Sequence, residues 1–255
     1  MSGSLYARAK GSGATTIVLL HGFGGDHAEW ADIQPDLARD GLVLAYDLPG
    51  HGRSLGHPAA GSASAGARAV LADLAARGIE RVHIAGFSMG GAVAALMALR
   101  APETVASLTL LAPGGFGPQI NSALLERFAA PASADELRAC MEEMSGPGFA
   151  MPTKNVAALA AMRAAPGQRE KLGEIAAAIA KNGRQGEIPR EALAGLPMPV
   201  SVVWGTADPV LPFSQSQDLP ADFVLTAIPG AGHMLPVEAR RAVTAAIRST
   251  VRRSL

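Results

Sequence analysis

A serine hydroxyl becomes a nucleophile at neutral pH only when a nearby base takes its proton. A useful serine therefore needs a histidine, and the histidine needs an acid to orient it. The 255-residue chain offers such a set at three separated positions. Ser88 is the centre of Gly86-Phe87-Ser88-Met89-Gly90, after the apolar run Val82–Ala85 and before an alanine-rich stretch. A G-x-S-x-G pentapeptide is weak alone and reads equally as an ordinary glycine-rich turn. Its weight comes from context, here a strand, a sharp turn and a helix. Small residues at 86 and 90 let such a turn crowd its neighbours and leave the hydroxyl beside the positive end of the next helix.

Asp208 lies in Trp204-Gly205-Thr206-Ala207-Asp208-Pro209, after the run Val200–Trp204, where an Asp before Pro also serves plain turn chemistry. His233 ends Pro229-Gly230-Ala231-Gly232-His233, past Phe223–Ile228; a lone histidine is more often a surface or core residue, but this small-residue loop lets an imidazole project. Each of the three follows a different strand run at its C-terminal end. The expectation is Ser88 as nucleophile, His233 as base and Asp208 as orienting acid. After the run Ser107–Leu111 the chain reads Ala112-Pro113-Gly114, with no carboxylate to take the place of Asp208.

His21-Gly22-Phe23-Gly24-Gly25 follows the run Thr15–Leu20. Its glycines let backbone N–H groups converge, so those of Phe23 and Met89 are expected to hold a developing oxyanion. Phe23, Phe87, Met89, Phe116 and Met234 are expected to touch the substrate. Neither G-x-x-x-x-G-K-[ST] nor G-x-G-x-x-G occurs, which argues against nucleotide binding. Among the other histidines, His83 falls inside a strand run and reads as core, while His27 and His57 read as loop residues.

The elements that must position these groups are short, nearly continuous apolar runs, to which Leu42–Tyr46 adds a further one. Such runs predict strands buried on both faces of a mainly parallel sheet. Between them, Ala67–Ala76 and Ala92–Arg100 have helical spacing, as does the stretch from Ala239 to Ile247, with Arg240, Arg241 and Arg248 on its other face. The alternation predicts a doubly wound α/β sheet.

It is interrupted once, from Gly114 to Leu196, where only helical pieces are expected: Ala123–Ala130, Ala134–Met144, Thr153–Ala164 and Arg169–Lys181. The predicted organisation is a core of residues 1–113 and 197–255 with a helical cap, 114–196, inserted between strands. A cap there lies where α/β ligands bind; the alternative is a small helical domain with no part in the site. Leu124, Leu125, Phe128, Met141, Met144, Phe149, Met151 and Met162 are candidate pocket liners, or else the cap's own core.

Composition closes off other classes. Hydrophobic residues make up 49% of the chain, enough for a core. Twenty-two basic residues balance twenty-two acidic ones, so bulk charge draws the chain to neither nucleic acid nor an anionic membrane. One cysteine, Cys140, excludes an internal disulfide and a multi-thiolate metal site. The opening MSGSLYARAKGSG has no apolar leader region, and no stretch of about 18 apolar residues follows. A soluble, cytoplasmic protein with no cofactor, no metal and a small acyl substrate is expected; oligomeric state is not legible.

Five segments together, HGFGG (21–25), DLPGHGRS (47–54), GFSMGG (86–91), WGTADPVLP (204–212) and GAGHMLPVE (230–238), resemble the α/β-hydrolase fold superfamily along essentially the whole chain. The order Ser, Asp, His is that of its nucleophile-elbow members. The resemblance implies a serine hydrolase with a carboxylesterase-like reaction, a triad of Ser88, Asp208 and His233, and a structural role for the segment holding Asp47, His51 and Arg53. Relatives that open epoxides or remove halide use an Asp nucleophile, and epoxide hydrolases add cap tyrosines; here position 88 is Ser, and Tyr6 and Tyr46 lie outside the insert. Hydrolysis of a C–C bond in a diketone uses the same triad and stays open. More narrowly, residues 78–94 and 107–121 resemble the hydrolase-like C-terminal domain of acyltransferase components of acetoin dehydrogenase complexes. Neither a lipoyl-bearing domain nor the H-x-x-x-D-G signature of lipoamide acyltransfer is present in this sequence. A non-catalytic partner of such a complex is the remaining alternative, and Phe87, where many relatives carry His, is the one departure beside the nucleophile.

Overall fold

The computed structural model describes residues 4–255. The first three residues of the opening read above lie outside the described residues. Strands β1 (Ala7–Lys10), β2 (Thr16–Leu20), β3 (Leu42–Tyr46), β4 (Val82–Phe87), β5 (Val105–Leu111), β8 (Val200–Gly205) and β9 (Val224–Ile228) form one sheet in the order β1-β3-β2-β4-β5-β8-β9. All pairings are parallel except β1 with β3, where Ala7 faces Tyr46 and Lys10 faces Val43. The C-terminal ends of the six parallel strands therefore share one rim.

Every residue of β2, β4, β5 and β8 is buried, as their unbroken apolar runs require. After the short α1 (Gln34–Leu37), helices α2 (Ala63–Ala76) and α3 (Met89–Arg100) pack on each other, α3 lies on β4 and β5, and the C-terminal α10 (Arg240–Arg252), preceded by the short α9 (Leu235–Glu238), lies on β5 and β8. Local chemistry sets their ends. The Ser62 side chain caps α2 through the Ala65 N–H, and Pro102 follows the end of α3 at Arg100. On α10, Val243 and Ile247 are buried while Arg240 and Arg241 face solvent.

Between β5 and β8 the chain makes α4 (Ser122–Ala129), α5 (Ala134–Glu143), α6 (Thr153–Arg163), α7 (Gln168–Ile179) and α8 (Arg190–Ala194). A full capping box, Ser133 with Glu136, starts α5, and the Asn121 side chain caps α4. Of these, α4 to α7 pack on one another and α8 packs on α3, and their apolar faces continue the core of the sheet. A two-stranded ribbon, β6 (Ala180–Lys181) with β7 (Arg184–Gln185), turns at Asn182-Gly183 where only helix was expected. Both turn residues have positive φ, and α7 ends at Ile179, where Ala180 turns extended, short of the expected Lys181.

Two further expectations are corrected. β1 was not foreseen, because an edge strand reading Ala-Arg-Ala-Lys has no apolar run to mark it. β9 is an edge strand too, with Val224 and Leu225 46% and 40% exposed, so its apolar run does not mean burial on both faces.

Candidate active site

Ser88 joins β4 to α3 at φ 52° and ψ −116°, a backbone conformation that costs a non-glycine residue about 1–3 kcal/mol. The surroundings impose it. The Ser88 N–H donates to the Leu111 carbonyl at 2.9 Å, and the Ser88 carbonyl accepts from Gly91, Ala92 and Gly114. β4 and α3 approach so closely that a Cβ on Gly86 would lie 2.3 Å from the Gly90 carbonyl oxygen. Any larger side chain there would force the turn open.

His233 reaches this hydroxyl from the loop after β9. Its Nε2 is 2.9 Å from Ser88 Oγ, and its Nδ1 is 2.7 Å from Asp208 Oδ2. The other Asp208 oxygen accepts the N–H groups of Val210 and Leu211 at 2.8 and 2.9 Å. A carboxylate so committed to accepting requires Nδ1 to carry the imidazole proton, which leaves Nε2 free to accept from the Ser88 hydroxyl. All three residues are buried. The Phe87 ring lies 5.0 Å from the imidazole centroid and backs it.

The loop after β2 supplies the neighbouring backbone. Phe23 N–H donates to no acceptor among the described residues, nor does that of Met89, the first residue of α3. The loop around Phe23 is braced throughout. Leu48 N–H donates to His21 Nε2 at 2.9 Å, so His21 Nδ1 carries the proton and donates to the Gly22 carbonyl at 2.7 Å. Gly24 N–H donates to His51 Nε2 at 3.2 Å, and burial pulls the His51 pKa down to about 3, so both rings are neutral supports. Asp47 accepts the N–H groups of His27 and Arg53 at 2.7 and 2.8 Å, and His27 Nδ1 lies 2.7 Å from it. His83 is buried in β4 against Ser107 Oγ.

Two cavities meet at Ser88. The first, of about 60 Å³, is lined by Ser88, His233, Phe23, Phe87, Met234 and Leu125, with Phe128, Met141 and Met144 from the inserted helices. The second, of about 280 Å³, also touches Ser88, Phe23 and Leu125, and adds Met89, Ile120, Ile179 and Ile188. Phe116 lines neither. It is 1% exposed beneath the Arg190 guanidinium, which stands 5.1 Å from its ring centroid and donates to its carbonyl, so its expected contact with substrate is withdrawn. Leu124, Phe149, Met151 and Met162 also line neither cavity and pack within the hydrophobic core instead.

Several residues at the site were missed. Glu29, Asp26 and Asn155 line the first cavity and Gln185 the second. Two carboxylates directly after HGFGG were a visible signal for the first pair. Glu238 was not foreseen either: its Oε2 accepts Gly146 N–H at 2.7 Å and Gly232 N–H at 2.8 Å, tying the inserted segment to the His233 loop. There His233 N–H also donates to the Met144 carbonyl at 2.8 Å, and a Cβ on Gly232 would lie 2.3 Å from the Ser145 carbonyl carbon.

Residues 17–247 match the model of the alpha/beta hydrolase family. The chain belongs to that family. Relatives of this family member include the dihydrolipoyllysine-residue acetyltransferase component of the acetoin cleaving system of Cupriavidus necator, 36% identical over 91% of this chain and 62% of the relative. The chain thus spans less than two thirds of that relative's length. A 2-hydroxy-6-oxononadienedioate/2-hydroxy-6-oxononatrienedioate hydrolase of Cupriavidus pinatubonensis is 30% identical over 82% of this chain and 75% of its own. Among solved structures, a 2-hydroxy-6-oxo-6-phenylhexa-2,4-dienoate hydrolase from Rhodococcus is similar with a TM-score of 0.80 and 25% identity, covering 98% of this chain and 96% of that one. Among the described residues no helix is long and apolar enough to cross a membrane.

Proposed function

We propose that this hydrolase-family chain is a serine hydrolase acting on a small to medium, mainly apolar carboxylic ester. One observation carries the reading, the unbroken hydrogen-bonded chain from Ser88 Oγ through the His233 ring to Asp208. Ser88 Oγ attacks the carbonyl carbon as its proton passes to His233 Nε2, and the Phe23 and Met89 N–H groups receive the oxyanion. The C–O bond then breaks, the imidazolium returns its proton to the departing oxygen, and the acyl group stays on Ser88. Water, deprotonated by the same ring, releases the acid. Asp208 holds the tautomer that each step needs. The inserted helices act as a cap, since their Leu125, Phe128, Met141 and Met144 wall the cavity above Ser88.

A second reading, hydrolysis of a C–C bond in a diketone, uses the same residues and is favoured by the relative named as a 2-hydroxy-6-oxononadienedioate hydrolase. A third, a non-catalytic partner in an acetoin-cleaving complex, follows the name of the acetyltransferase component. An acyl-chain-length series of nitrophenyl esters, run beside a diketone panel with Ser88→Ala as control, separates the first two. Ester turnover surviving at a comparable rate in Ser88→Ala would overturn the assignment. Stoichiometric fluorophosphonate labelling at Ser88 is the expected result, and folded protein that takes no label would favour the third reading.

A further inference from the structure

The cavity that contains His233 has one polar end. Against Phe23, Phe87 and Leu125 it sets Asp26, Glu29 and Asn155, and no lysine or arginine lines it among the described residues. Glu29 stands in the short 3-10 helix His27–Trp30 beyond Phe23, and its Oε2 accepts the Gly22 N–H at 2.8 Å. Glu29 is half-buried, and this burial, reinforced by Asp26, raises its pKa to about 8. Asn155 enters from α6 on the opposite, inserted side, and its Oδ1 is buried with no partner among the described residues. An unpaired buried acceptor costs about 1–3 kcal/mol unless something donates to it. The nearby cations do not line this cavity: Lys154 pairs with Asp32, and Arg163 lies over the Phe128 ring, 4.2 Å from its centroid, donating to the Phe128 carbonyl through Nη1 while its Nε and Nη2 have no partner among the described residues. Once Glu29 is ionised, above about pH 8, this pocket end accepts hydrogen bonds and repels an anion.

The direction of proton transfer says which part of a substrate meets it. His233 must hand its proton to the departing oxygen, and His233 lines this cavity and not the other. The departing group therefore occupies the Glu29 cavity, and the acyl chain takes the larger apolar one beside Met89. We infer that Glu29 and Asn155 select the alcohol half of the ester, favouring one whose far end is a hydrogen-bond donor, a hydroxyl or ammonium, and rejecting one that ends in a carboxylate. The inference rests on the ester-hydrolase reading and adds to it the chemistry of the leaving group.

Four octanoate esters that differ only at the end of a four-carbon alcohol test it: butyl, 4-hydroxybutyl, 4-ammoniobutyl and 3-carboxypropyl. Competed in one mixture at pH 9, where Glu29 is ionised, they give ratios of kcat/KM directly. The hydroxyl and ammonium esters should exceed the carboxylate ester by about tenfold or more. In Glu29→Gln, which keeps an oxygen for the Gly22 N–H, the ammonium-to-carboxylate ratio should fall at least about fivefold. In Asn155→Leu the hydroxybutyl-to-butyl ratio should fall toward one. Dissociation constants of the same esters on Ser88→Ala, read by calorimetry, should follow the same ranking without any turnover. Cleavage of all four at similar rates, or ratios unmoved by either variant, would overturn the inference and leave the hydrolase reading intact. Ranked binding to Ser88→Ala with no cleavage by the wild type would do the reverse.

Discussion

The rim of the sheet and the inserted helices hold their functional residues by different means. On the rim the main chain does the work: Ser88 is fixed by backbone hydrogen bonds and by the close approach of Gly86 to Gly90, and Asp208 by two N–H groups. Between the helices and the rim, single side chains add to two backbone bonds, His233 N–H to Met144 and Asn121 N–H to Val210. Gln168, fully buried in α7, donates to the Gly50 carbonyl and accepts from Gly52 N–H at 2.9 Å each, Glu238 clasps Gly146, and Lys154 reaches Asp32. Backbone-set groups move only if a strand moves, whereas a side-chain clasp can be cut by one substitution. Changes on the rim should therefore act on kcat, and changes at the clasps on stability and on the fit of the two halves.

The largest effect that would sharpen this contrast is at Asp208. Asp208→Asn keeps the shape but lets the imidazole adopt the wrong tautomer, and kcat for a nitrophenyl ester should drop by about 10⁴ with little change in melting temperature. A kcat within tenfold of wild type would break the contrast at its strongest point. Next is Glu238, a positioning residue. Glu238→Ala strands two N–H groups and should cost about 2–3 kcal/mol in urea unfolding, with kcat falling more than KM rises. Glu238→Gln, which keeps an acceptor, should restore most of both; equal damage from the two would point to packing alone.

The pH dependence of stability tests Glu29 on the rim side. Its pKa is raised to about 8 in the folded chain, from an ordinary value of 4.5. Between those values the native state holds a proton that the unfolded chain has released, so this group makes stability fall as pH rises from about 4.5 to 8, and the effect levels off beyond. Melting curves of wild type and Glu29→Gln should thus diverge over this window, the variant losing less on going to pH 8. Parallel curves would show the carboxyl to be solvated. The smallest effect belongs to Lys154, whose side chain is 64% exposed. Lys154→Ala should change stability by less than about 1 kcal/mol and more weakly still in high salt.

How far the sequence reveals this arrangement follows the same division. Strand runs, the glycines about Ser88 and the loops bearing Asp208 and His233 are local patterns, and local patterns decide the rim. β1 and β9 mislead because an edge strand obeys pairing rather than burial. The helices of the insert are visible through caps such as Ser133 with Glu136, but what they touch is not. Glu238 meets Gly146 across 92 residues, and no spacing rule reaches that far. Phe116 shows the converse error, since an aromatic at the head of the insert looked like a contact and instead lies sealed under Arg190. Glu29 was open to view, two carboxylates after a glycine loop, yet only enclosure by the folded chain gives it an altered acidity.

The twisted backbone at residue 88 sets a limit on how durable the molecule can be. Serine tolerates that corner badly and glycine well, so the chain is weakest as a solid object where it is meant to react. Ser88→Gly should melt higher than wild type, by the equivalent of about 1 kcal/mol, while Ser88→Ala, whose Cβ meets the same corner, should gain nothing. A catalyst stripped of its hydroxyl and its kink together would outlast the working one on heating, and identical melting curves for the two variants would show that the corner is relaxed after all.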